Sequence, residues 1–130
     1  MMKDIETLED IKYLVDGFYG RVRKDELIGP IFDEKIGNHW DRHLDIMYRF
    51  WQTVLLEEDK TYFGNPFMKH AALPVFGEHF QRWLQLWKET LKKDFNGPVA
   101  DEAYTRAERM AKVFQIKLKA IRQEGGSPVF

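Results

Sequence analysis

Apolar residues recur at three- and four-residue spacing along most of this chain, and nowhere do they keep up the two-residue alternation of a strand. That periodicity commits the backbone to helices. Ile11, Leu14, Val15, Phe18, Tyr19 and Val22 predict a first helix to about Lys24. Thr7 and Asp10 ahead of them have the spacing of a capping box, with Asp where Glu or Gln is usual. Gly29-Pro30 breaks the pattern, and Ile31-Phe32 begins a short turn of helix ending near Gly37. Trp40, His43, Met47, Phe50, Trp51 and Val54 form one stripe of a second long helix. A polar loop follows over 57–66. Phe76, Phe80, Trp83, Leu84, Trp87 and Leu91 give the inner face of a third long helix, which Asn96-Gly97-Pro98 ends. The last runs from about Asp101 to Gln123, with Ala107, Met110, Ala111, Phe114, Leu118 and Ile121 facing in. The expected fold class is all-α, with four long helices and two short ones. One domain covers residues 1–124, and Gly125-Gly126-Ser127-Pro128 opens a flexible tail over 125–130.

One of the short helices lies between two prolines, in Asn65-Pro66-Phe67-Met68-Lys69-His70-Ala71-Ala72-Leu73-Pro74. Pro66 suits a first helical position, where its missing N–H would have no partner anyway. Asn65 can cap that helix. Pro74 disfavours a helical Leu73 and stops it within about two turns. His70 is therefore held in a fixed direction on a short rod.

Aromatic residues make up 15% of the chain, too much apolar surface to leave outside a domain this small, so much of it lines a core or a pocket. A net charge of −1 gives no basic face for nucleic acid. With no cysteine, disulfides and thiolate metal sites are excluded. No apolar run approaches the roughly 20 residues that span a bilayer. The opening Met-Met-Lys-Asp-Ile-Glu has no signal-peptide core, so the expected location is cytoplasmic.

Polar side chains on the apolar stripes are the candidates for chemistry. His43 interrupts one stripe and needs partners for its ring nitrogens if buried. Its plainer reading is a core histidine bonded to its neighbours. His70 is either part of a solvated connector or a ligand whose second N–H is received by a carbonyl one turn back. One imidazole is too few for a protein-bound zinc site but suffices for haem iron. Tyr19 and Trp83 read first as core packing, yet each carries a polar tip that wants an acceptor when buried. Tyr19, His43 and Trp83 arrive on three helices and could supply three donors to one small polar ligand. His39 and His79, near helix starts, read as surface residues.

The ordered set of motifs resembles the truncated haemoglobins of the third group. It runs Phe18-Tyr19-Gly20-Arg21-Val22-Arg23-Lys24-Asp25, Gly29-Pro30-Ile31-Phe32, Trp40-Asp41-Arg42-His43, Phe50-Trp51, Tyr62, Gly64-Asn65-Pro66, Lys69-His70-Ala71-Ala72-Leu73-Pro74-Val75-Phe76 and Trp83-Leu84. The set spans roughly residues 13–115, and the glycine-rich motifs of the first two groups are missing. The resemblance implies the two-over-two helical sandwich of a truncated globin, binding haem b. It implies that His70 is the proximal iron ligand and that Tyr19, His43 and Trp83 are the polar distal residues. Phe32, Met47, His70, Phe76 and Trp83 then contact the cofactor, and Lys69, Arg82 and Tyr62 are candidates for its propionates. The implied ligands are oxygen, nitric oxide and carbon monoxide, and a reductase is a candidate partner.

Two other readings stay open at this point. One is a haem enzyme with nitric oxide dioxygenase or peroxidase-like activity. The other is a colourless helical interaction module whose pocket is filled by its own side chains.

Overall fold

The computed structural model describes residues 2–56 and 77–123, with side chains up to Ala120. The proline-bracketed helix with His70, the candidate Phe76, Tyr62 and Lys69, and the C-terminal tail all lie outside those residues.

Five helices are described: α1 (Leu8–Lys24), α2 (Gly29–Ile36), α3 (Trp40–Leu55), α4 (Gly77–Asp94) and α5 (Pro98–Gln123). The capping box of α1 is complete. The Thr7 hydroxyl accepts the Asp10 N–H at 3.2 Å, and the Asp10 carboxylate accepts the Thr7 N–H at 3.1 Å. Asp therefore performs the reciprocal half of a cap usually given to a longer acid.

Two helix starts differ from expectation. Gly29-Pro30 opens α2 rather than separating it from α1. Proline in a first turn loses no hydrogen bond, so the residue taken for a breaker is an initiator. A Cβ on Gly29 would stand 2.8 Å from the Val22 carbonyl oxygen, so only glycine lets the chain fold back on α1 here. The second difference is that α5 begins at Pro98, three residues before Asp101. Its cap comes from far away: the Asp4 carboxylate accepts the Val99 N–H at 3.0 Å and the Ala100 N–H at 2.8 Å. Gly97, at φ +145°, gives Asp4 the room to reach in; a Cβ there would lie 2.5 Å from the Asp4 carboxyl carbon.

The helices stack as two layers of two. α1 packs against α3 and α2, α4 packs against α5, and the layers meet through α1 on α4 and α3 on α5. One core runs through all of them, from Leu14, Val15 and Phe18 on α1 to Trp51 on α3, Trp87 on α4 and Ala103 and Ala107 on α5. The alanine stripe lets a large ring approach α5, and the Trp87 indole N–H donates to the Ala103 carbonyl at 3.1 Å. Asp25 ties the α1–α2 corner to α4: its carboxylate receives the Ile28 N–H at 3.0 Å and the Arg82 guanidinium at 2.6 Å. Among the described residues the only strand-like pairing is one parallel bridge between Lys3 and Phe95, and no helix is long and apolar enough to cross a membrane.

Candidate ligand cleft

A cleft of about 860 Å³, counting the part open to solvent, lies between the layers. Its walls are largely aromatic: Phe18, Phe32, Phe50, Trp51, Phe80, Trp83 and Phe114, with Met47, Met110 and Ala111 between them. Aromatics from α1, α3 and α4 line it together, and the small Ala111 on α5 leaves the space they surround.

Tyr19 is held by rings on every side. Its ring centroid is 4.9 Å from Phe18, 6.0 Å from Phe32, 5.7 Å from Trp40 and 5.0 Å from His43, all edge to face. Arg23 closes the outer side, its guanidinium carbon 4.5 Å from the Trp40 ring centroid. Tyr19 is only 7% exposed and lines the cleft. Burial pushes its acidity constant upward, so the hydroxyl stays protonated as a donor.

Trp83 lines the cleft from α4, its ring 5.7 Å from Phe18 and parallel to Trp87 at 6.3 Å. Trp87 in turn stacks on Trp51 at 4.6 Å. The two indoles on α4 differ in use. The Trp87 N–H is taken by Ala103, whereas neither the Trp83 N–H nor the Tyr19 hydroxyl makes a hydrogen bond among the described residues.

The expected trio is thus partly assembled. Tyr19 and Trp83 line the cleft together with Phe32 and Met47, which were expected at the cofactor. His43 stands edge-on against Tyr19 and is not one of the described residues lining the cleft. Arg82, a candidate for an anionic cofactor edge, is engaged by Asp25.

His79 was missed: expected at the surface, it is half-buried and lines the cleft. The signal was present, since His79 lies four residues before Trp83 and so on the same row of α4. His39 is exposed, as expected. Among the described residues, no group of three or more His, Asp or Glu side chains could hold a metal ion by itself.

Comparisons with known proteins give consistent results. A family described as bacterial-like globin matches residues 3–117. The group 3 truncated hemoglobin ctb of Campylobacter jejuni is 39% identical over 111 residues, which is 82% of this chain and 87% of the relative. The crystal structure of a group III truncated hemoglobin from Campylobacter jejuni superposes with a TM-score of 0.82 at 37% identity, covering 91% of this chain and 95% of that one.

Proposed function

Since the chain belongs to the bacterial-like globins, in their group III truncated haemoglobin branch, we propose that the cleft holds haem b and that the protein binds oxygen and other diatomic gases there. The observation that carries this reading is an aromatic slot with two donor tips, Tyr19 and Trp83, that no described residue engages. Flat aromatic walls suit a planar, mostly apolar macrocycle, and a few convergent polar groups suit a small polar ligand on one of its faces. The residues present therefore fit the group.

His70 would hold the iron, with Phe32, Met47 and Phe76 against the ring. When bound, the haem supplies an iron position at which a gas can coordinate. The remaining tasks fall to this chain's side chains. The Tyr19 hydroxyl and the Trp83 N–H donate toward the gas, and Trp83 can only donate. His43 buttresses the Tyr19 ring and fixes where its hydroxyl points. Hydrogen bonds to a group bearing charge contribute about 1.5–3 kcal/mol each. One such bond therefore slows release by roughly tenfold to a hundredfold, at 1.4 kcal/mol per factor of ten. Two donors favour retention over carriage. Retention suits a haem enzyme, either nitric oxide dioxygenase or peroxidase-like, which would need a reductant and hence a reductase in the cytoplasm.

Adding haem to the purified protein should produce a strong Soret band, and His70→Ala should lose the normal proximal iron signature. A ligand-bound spectrum unchanged in that variant would overturn the assignment of His70. Mixing the oxygenated form with nitric oxide, and the ferric form with peroxide, separates the enzyme from a plain binder by whether turnover follows.

A further inference from the structure

We infer that His79 is the residue on α4 that fastens the cofactor's carboxylate edge, an inference that rests on the haem reading above. Haem is apolar over most of its surface but carries two propionate carboxylates. Burying a carboxylate without partners is costly, so that edge must sit where the cleft opens to water.

The described lining of the cleft bears four side chains with a polar tip: Tyr19, Trp51, Trp83 and His79. Trp51 is deep, at 3% exposure, and stacked on Trp87. Tyr19 is deep, at 7% exposure, and points among rings. Trp83 lies one turn further along α4, beside Phe18 and Trp87. Trp83 and His79 are both half-buried, but His79 is the one imidazole of the four and stands in the first turn of α4, touching both the cleft and solvent. Arg82, the nearest strong cation on the same helix, gives its Nε to Asp25 at 2.6 Å. Asp25 holds it there firmly: burial works against its charge, but the Ile28 N–H and the Arg82 guanidinium outweigh burial and keep its carboxyl below the usual range.

An imidazole N–H can donate to a carboxylate whether the ring is neutral or charged. The assignment therefore predicts a bond specific to the free acid of the porphyrin, separable from any packing of the His79 ring.

The test compares haem with its dimethyl ester, which has the same ring but no carboxylates. Both are loaded into the wild type, His79→Phe and His79→Gln, and release to an excess of apomyoglobin is timed. Phe keeps a ring in place without a donor; Gln keeps a donor. His79→Phe should release haem about tenfold faster than wild type while leaving release of the ester unchanged. His79→Gln should recover part of the difference.

Equal acceleration of haem and ester in His79→Phe would mean that the residue only packs, and would overturn the assignment. So would unchanged haem release, or a Gln variant as fast as the Phe variant. A wild type that develops no Soret band overturns the haem reading and this inference with it. A wild type that binds haem and its ester with equal release rates overturns the inference alone.

Discussion

Tyr19 and Trp87 show how one kind of side chain can serve two ends. Tyr19→Phe keeps the ring that Phe18, Trp40 and His43 surround, and removes only a hydroxyl with no described bond. Its stability should stay close to that of the wild type, while oxygen dissociates about tenfold or more faster. Stopped-flow displacement checks this, and an unchanged rate would refute a Tyr19 bond to the gas. The two indoles of α4 should separate in the opposite sense. Trp87 is 1% exposed and bonded to Ala103. Trp87→Ala should therefore cost about 3–5 kcal/mol in denaturant unfolding. Trp83→Phe, at a half-buried position, should cost under about 1.5 kcal/mol and act on gas release instead. At this scale the sequence was readable for which polar tips face inward, but not for what they meet. Periodicity puts His43 on the inner stripe, yet only packing reveals that it abuts Tyr19 rather than the cleft. His79 was read as surface because it lies near a helix start, although it shares a row with Trp83.

Helix starts show where local reading ends. The box at Thr7 and Asp10 lies within four residues, and its sequence signal was sufficient. The start of α5 was misplaced because Asp4, its cap, is 95 residues from Val99 in the chain. No window along the sequence contains both partners. Burial works to raise the Asp4 acidity constant, but the N–H groups of Val99, Ala100 and Ile5 outweigh it and hold the carboxyl below its usual value. A depressed native value means that the ionised form is preferred in the folded state. The stabilisation is then complete above the unfolded value of about 3.9 and is lost as pH falls through the lower native one. Asp4→Ala should destabilise by about 1 kcal/mol at pH 7. Its deficit against the wild type should shrink on titration below about pH 4. A deficit that persists unchanged at pH 2 would show that Asp4 does not act through its charge.

On the scale of the molecule, two helical layers enclose an apolar cleft instead of closing on each other. The all-α class and the identity of the long helices were legible because their stripes are strong. The cleft was not, since its lining comes from all five described helices at once, and no window along the sequence brings them together. A ligand that fills the cleft binds the folded state alone and stabilises it by mass action, by about 2.7 kcal/mol at a hundred times its dissociation constant. Haem should therefore raise the melting temperature in a concentration-dependent way, on the order of 10 °C at that excess. A melting temperature indifferent to haem, read by circular dichroism, would contradict a cleft of this kind.

The stack of Trp51, Trp83 and Trp87 also has an optical consequence. The chain has four tryptophans, and three of them stand in this one stack. Their ultraviolet emission overlaps haem absorption, so a porphyrin in the cleft should quench it by energy transfer. The protein thus carries its own lamp: dark when loaded, bright when empty, with no dye needed to follow the cofactor in or out.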